Sequence, residues 1–240
     1  MAEVEAKQIQ VVDPNYQNIF QLAISLIDKK PGENTLLLDA GCGRGGNTEK
    51  LRQLGFKTTG IDISHEDIAI AKEKFPENNF FQHDLNDRLP FEDGTFDVIF
   101  SNSVLQYIQW QKVIKEYKRV LKPDGQIMLL ENLRGNPLAK VYRTIMKLTK
   151  SYKKHYVPLK HVSYKELELF GENFNTVDFK FCVLFSTASN VIPDTNKFYM
   201  RALRKQVKYV LVKMENGLLK NFPSLYKYSS KVIIRVSQPK

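Results

Sequence analysis

Between residues 35 and 130 short apolar runs alternate with segments whose apolar residues recur every three or four positions. Thr35–Ala40 (TLLLDA) has the length and composition of a buried strand, and a glycine-rich turn leads from it into a helical segment near Asn47–Leu54. Phe56–Asp62 predicts a second strand, after which Ser64 caps a helix that Pro76 closes. Gly94–Phe100 predicts another strand and Trp110–Leu121 another helix. Lys122-Pro123-Asp124-Gly125 then turns the chain into the strand Gln126–Leu130. Upstream, Asp13-Pro14 opens a helix carrying Ile19, Phe20, Ala23, Leu26 and Ile27 on one face, and Pro31-Gly32 ends it. Strands alternating with helices at this pace predict an α/β protein with a parallel sheet covered on both faces.

The pattern changes after residue 133. From Pro137 to Tyr156, Leu138, Val141, Tyr142, Ile145 and Met146 recur at helical spacing, and Lys140, Arg143, Lys147, Lys150 and Lys154 do the same. This predicts one amphipathic helix with a cationic stripe. A second basic helix is expected over Lys197–Leu219. Phe179–Phe185 and Lys231–Val236 are expected as an antiparallel pair at the end of the sheet. Phe198, Tyr199, Tyr209, Phe222, Tyr226 and Tyr228 are expected mostly in the core at these spacings. Three regions follow within one domain: an N-terminal helical segment (1–30), a ligand-binding core (31–133) and a basic lid with the last strands (134–240).

Charge sharpens this division. The chain of 240 residues carries a net +10, yet residues 1–133 sum to −5 and residues 134–240 to +15. An asymmetry of that size suits an anionic substrate or a membrane surface, and equally a solvated basic face. No run reaches the roughly 18 apolar residues of a membrane span. The first ten residues are acidic and lack the apolar core of a secretory leader. Cys42 and Cys182 stand far apart without metal-ligand spacing, and no metal site is expected. A reducing, cytoplasmic location is the expectation these features share.

The densest chemistry lies in Leu37-Leu38-Asp39-Ala40-Gly41-Cys42-Gly43-Arg44-Gly45-Gly46. A buried strand runs into a loop whose glycines admit close approach of a ligand, and then into a helix N-terminus. Gly41, Gly43 and Gly46 also satisfy the dinucleotide pattern, with acidic Asp62 following at the expected distance, so an NAD(P)-dependent oxidoreductase is one reading. Asp39 argues against it. A carboxylate at the strand's end would repel a diphosphate. It suits instead a ligand bearing an ammonium group, such as the methionine moiety of S-adenosylmethionine. Asp62, ending the second strand, can then accept both ribose hydroxyls.

In these residues the chain resembles the class I S-adenosylmethionine-dependent methyltransferases, in particular their quinone-biosynthesis and small-molecule branch. Asp39-x-Gly41-x-Gly43-x-Gly45 is similar to the family's first motif, and Asp62-Ile63-Ser64 to its second. His83-Asp84-Leu85 stands where an acidic side chain meets the adenine amino group. Leu89–Ile99, Ser101–Tyr107 and Val120–Gly125 continue the series in order. The resemblance covers roughly residues 30–133. It implies a Rossmann-like, mostly parallel seven-stranded sheet with helices on both faces, an antiparallel last strand and a helical lid inserted after the fifth strand. It implies S-adenosyl-L-methionine as cofactor, held by Asp39, Gly41, Cys42, Gly43, Gly45, Asp62, Ile63, Asp84, Leu85, Ser101, Asn102 and Gln106.

Two departures narrow the reaction. Tyr107-Ile108-Gln109-Trp110 stands where the family often has His or Asp. Ser101-Asn102-Ser103-Val104 replaces the Asn-Pro-Pro-Tyr type of tetrad that goes with methylation of planar exocyclic amines. Transfer to an oxygen or carbon of a small-molecule or lipid-linked, anionic acceptor is therefore the leading expectation, by in-line displacement at the sulfonium methyl. His161, and after it His155, are the expected general bases, since both stand in the variable half beside Tyr152, Tyr156 and Tyr164. The basic 137–156 helix is a candidate for peripheral membrane contact. Nucleic acid is disfavoured, because no recognisable RNA-binding module accompanies the basic stripe. A catalytically silent scaffold that keeps cofactor binding is the third reading, and the fold by itself does not select a substrate.

Overall fold

In the computed structural model the described residues are 19–137, 162–182 and 198–239. The expected basic helix beyond residue 137, His155 and His161, and the Asp13-Pro14 helix start lie outside them. The elements in chain order are α1 (Ile19–Ser25), β1 (Gly32–Ala40), α2 (Gly46–Gln53), β2 (Phe56–Asp62), α3 (His65–Lys74) and β3 (Asn79–Gln82). There follow β4 (Phe96–Asn102), a 3-10 turn (Leu105–Tyr107), α4 (Trp110–Val120) and β5 (Leu121–Asn132). The last part comprises α5 (Tyr164–Asn173), β6 (Phe174–Cys182), α6 (Phe198–Asn221), a 3-10 turn (Pro223–Tyr228) and β7 (Lys231–Pro239).

One seven-stranded sheet has the order β3-β2-β1-β4-β5-β7-β6. Strands β1 to β5 are mutually parallel, whereas β7 runs antiparallel to both β5 and β6. This is the Rossmann-like, mostly parallel sheet with an antiparallel last strand that the resemblance implies. Adjacent residues of each strand serve opposite faces. Leu38, Ile99 and Leu129 pack with Val113, Ile114 and Tyr117 of α4 and Phe170 of α5. Leu37, Val98, Phe100, Met128 and Leu130 pack on the other side with Leu22 and Ala23 of α1 and Leu51 of α2. Such two-sided burial explains why the central strands are continuous apolar runs rather than alternating ones. Strand order reverses between β1 and β4, which opens a crevice at their carboxyl ends where ligands of such sheets bind.

Several local expectations change. Strand β3 has only four residues and was not expected from its composition. It forms because Phe80 pairs with Gly60 of β2 and buries its ring against Gly45, Gly60 and Ala71. Helix α5 was also unexpected, although Ser163 and Glu166 form a capping box that starts it. Strand β6 begins at Phe174, five residues before the expected Phe179. Lys122–Gly125 stays within β5 as an outward loop, since Leu121 pairs with Phe96 and Gln126 with Val98. The C-terminal aromatics correct the expectation most plainly. Phe198, Tyr199 and Phe222 are 86%, 61% and 58% exposed, and Tyr209 and Tyr228 are exposed too.

Gly60 is the tightest joint of the β2–β3 edge. A methyl group there would lie 2.7 Å from the Phe80 ring and 3.0 Å from Cys42 Sγ. Gly60→Ala is expected to lower unfolding stability by about 1–3 kcal/mol through overpacking. Urea titration should show part of the loss recovered in Gly60→Ala/Phe80→Leu, because the smaller side chain makes room.

Candidate functional site

The crevice begins where β1 ends. Gly41, Gly43 and Gly45 have φ of 81°, 50° and 77°, a left-handed path that L side chains rarely adopt. The amides of Gly41 and Cys42 both donate to the Ile61 carbonyl, at 2.8 and 2.9 Å, and so fasten the exit of β1 to the exit of β2. At Gly41 a second constraint applies. A Cβ there would lie 2.3 Å from Cγ2 of Val104, which closes over the loop from beyond β4. A Cβ on Gly43 would meet nothing within 4 Å, so the loop keeps open space beside it. Gly45 then caps α2.

Three carboxylates border this loop. Asp39 is fully enclosed, and its Oδ2 accepts a 2.6 Å hydrogen bond from Thr48 Oγ1 of α2. Burial pushes its carboxyl up to about 7, a rise opposed by the Thr48 bond and helped by Asp62. A buried carboxyl with one hydroxyl partner is well suited to a cationic ligand group, which would restore its charge. Asp62 accepts from the Gly43 amide on Oδ2 (2.8 Å) and from the Ser64 amide on Oδ1 (2.9 Å). Each oxygen keeps a lone pair for a hydroxyl donor. Asp84, just beyond β3, takes the Asn86 amide and side chain on Oδ1, both at 2.8 Å. Beside these acids Ile63 is 62% exposed just past β2, whereas Leu85, next to Asp84, is buried in the core. Cys42 is buried, and burial raises its thiol far above the reactive range, so it serves as packing.

The rim beyond β4 is polar. Ser101 is fully buried and Asn102 half-buried. Ser103 has φ 63°, unusual for a residue with a side chain. Its amide donates to Leu130 O at 2.7 Å, its hydroxyl donates to Asn102 Oδ1, and Asn132 donates to that hydroxyl. Gln106 Nε2 donates to the Ser103 carbonyl, while Gln106 Oε1 is buried without a partner. His83 Nε2 is likewise buried and unpartnered.

Glu131, at the end of β5, was not among the expected site residues. Its Oε1 accepts the amides of Val104 (2.9 Å) and Leu105 (3.0 Å), and its Oε2 is buried without a hydrogen-bond partner. Burial raises this carboxyl to about 7, with the Leu105 and Val104 amides pulling the other way. Through those amides Glu131 holds Ser103 in its left-handed conformation and Val104 over Gly41. A signal existed in the sequence: Glu131 is the one charged residue after Ile127-Met128-Leu129-Leu130, in a strand buried on both faces.

All twelve residues expected to hold the cofactor thus fall at the carboxyl ends of β1 to β4 or in the turns that follow. His155 and His161 lie outside the described residues. Val162, which follows His161, is bound to the end of β5, its amide donating to Asn132 O and its carbonyl accepting from Arg134 N. Among the described residues, no cluster of metal-ligating side chains occurs.

Residues 38–129 match the methyltransferase domain family. The sterol 4-C-methyltransferase strm-1 of Caenorhabditis elegans is 34% identical over 143 residues, 55% of this chain and 38% of the relative. A malonyl-[acyl-carrier protein] O-methyltransferase of Buchnera aphidicola is 36% identical over 115 residues, 47% of this chain and 46% of the relative. The matches thus span less than half the length of these curated relatives. Geranyl diphosphate C-methyltransferase from Streptomyces coelicolor, solved with S-adenosyl-L-homocysteine, superposes with a TM-score of 0.57 at 17% identity, covering 91% of this chain and 79% of that one. Residues 38–129 are thus similar to a methyltransferase domain, and the chain shares the fold of that solved structure.

The two raised carboxyls set a pH dependence. In the unfolded chain both titrate near about 4, so between about pH 4 and 7 the folded state binds more protons. Their contribution to stability consequently falls as pH rises through that window and is level above it. Thermal unfolding of Asp39→Asn compared with the unsubstituted chain should show the variant gaining relative stability from about pH 4 to 7. A constant difference between the two would remove the assignment of a raised Asp39.

Proposed function

We propose that this chain binds S-adenosylmethionine in the crevice over β1 and β2 and transfers its methyl group to an oxygen or carbon of a small-molecule or lipid-linked acceptor. The observation that carries this reading is the pair Asp39 and Asp62 on either side of the left-handed glycine loop, one buried beside Thr48 and one aimed along the loop amides. The residues present fit the cofactor. Asp39 receives its ammonium, Asp62 its ribose hydroxyls, and Asp84 its adenine amino group. Ile63 and Leu85 flank the ring, and Gly41, Cys42, Gly43 and Gly45 let the backbone come close. Ser101, Asn102 and Gln106 face the reacting end.

Bound there, the cofactor supplies an electrophilic methyl on a sulfonium, so the protein's chief task is alignment of an acceptor lone pair. Glu131 serves that alignment by positioning the Ser103–Leu105 turn. Where the acceptor carries a proton of high pKa, His161 is the proposed group that takes it, with His155 as the alternate. The names of the relatives, which include a sterol and a carrier-bound acyl group, support an apolar or carrier-linked acceptor. An oxidoreductase using NAD(P) is disfavoured by the buried Asp39, which stands where a diphosphate would need neutral or positive surroundings.

Titration calorimetry with S-adenosylmethionine, S-adenosylhomocysteine and NADH tests the reading. The first two should bind and NADH should not. Asp62→Ala should weaken binding roughly tenfold to a hundredfold, the loss of charge-assisted hydrogen bonds worth about 1.5–3 kcal/mol. Binding near pH 6 should release a proton from Asp39, seen as a dependence on buffer ionisation enthalpy that Asp39→Asn abolishes. Binding of NADH alone would overturn the cofactor and the reaction class together.

A further inference from the structure

Helix α6 is 24 residues long, yet Glu215 and Leu219 are its only fully buried residues. From Phe198 to Met214 every residue is at least partly exposed. A helix this long, so lightly packed, gains little from the core, and tertiary burial is the usual source of helix stability. Several of its exposed side chains are large and apolar. Tyr199, Leu203, Val210, Met214 and Leu218 are 61%, 46%, 53%, 54% and 36% exposed, and successive members are four or seven residues apart. At 3.6 residues per turn they form one continuous stripe on the solvent side. Phe222, just past the helix, extends it.

Cations flank the stripe on both sides. Exposed Lys213 and Lys220 fall to one edge and half-buried Arg204 and Lys208 to the other, with Arg201 and Lys205 near the helix start. The helix holds six basic residues against one acid, Glu215, and that acid is buried. The Lys213 ammonium lies 4.8 Å from the Tyr209 ring centre, which places aromatic and cationic groups together at the surface. No described helix is long and apolar enough to cross a membrane.

An exposed apolar stripe bordered by lysine and arginine is the pattern of a helix that lies in a membrane interface, apolar side toward the acyl chains and cations at the headgroups. We propose that α6 is a docking surface for an anionic lipid bilayer. The occupant is chosen by charge complementarity. Exposed Lys205, Lys213 and Lys220 would repel a second copy of the same helix, while an anionic headgroup layer neutralises them as the stripe sinks below it. The docking surface itself does not depend on which reaction the crevice performs.

Co-sedimentation of the full chain with phosphatidylcholine vesicles, with and without phosphatidylglycerol, tests this. Binding is expected with phosphatidylglycerol and should fall as salt is raised. Lys205→Glu/Lys213→Glu should weaken it by on the order of tenfold or more. Leu203→Ser/Met214→Ser, at exposed positions that leave the core intact, should weaken it while leaving cofactor binding unchanged. Failure to bind either vesicle, or binding indifferent to both pairs of substitutions, overturns the proposal. A dimer in sedimentation equilibrium that Leu203→Ser/Met214→Ser dissociates, with no vesicle binding, would assign the stripe to a second copy of the chain. Retention on single-stranded RNA but not on anionic vesicles would overturn it in favour of nucleic acid.

Discussion

The two hydrogen bonds from the Gly41 and Cys42 amides to the Ile61 carbonyl are the constraint on which the candidate site depends. They force the chain to leave β1 in a left-handed path, directly against the exit of β2. From that one junction Asp39 is left buried behind the loop, Asp62 is brought to the Gly43 amide, and α2 starts with its amides turned toward the crevice. The junction also fixes what may not be present. Val104 from β4's turn and Phe80 from β3 fill the space where side chains on Gly41 and Gly45 would lie. Glycine is therefore required twice over, for conformation and for contact.

The opposite wall is set by Glu131. A carboxyl buried at the end of a fully enclosed strand is costly unless its lone pairs are used. Here one oxygen takes two consecutive amides of the Ser103–Leu105 turn. The result is a strained serine, with Val104 held down over Gly41 and a polar rim formed by Asn102, Gln106 and Asn132. The two walls of the crevice are thus linked through Val104, and the raised carboxyls on either side both belong to this linkage. Strain and unpartnered buried atoms concentrate where a ligand would complete them, a common feature of functional sites.

Away from the crevice the chain divides by charge as well as by role. The acidic first part builds the cofactor half. The basic second part contributes β6 and β7 to the sheet edge, where Arg235 joins Asp178 and Asp28. It also contributes α6, which stands largely outside the core. That difference in packing separates the enclosed site from a lightly packed helix at the surface.

The sequence by itself determined the strand–loop–helix order through β5 apart from β3, the glycine loop and its flanking acids, because these rest on local rules. Apolar run length, capping residues and left-handed glycines act within a few residues of one another. The antiparallel end of the sheet was also legible from two apolar runs. Only the tertiary structure decided the rest. Strand β3 is too short to signal itself and exists because Phe80 finds a slot made by Gly45 and Gly60. Glu131 acquires its role from amides 27 and 26 residues away in the chain. Helix α5 had a legible capping box at Ser163 and Glu166 that periodicity alone passed over. Phe198, Tyr199, Tyr209, Phe222 and Tyr228 looked like core by spacing yet lie exposed. Helical periodicity shows that one face is apolar and says nothing about whether another element is there to cover it.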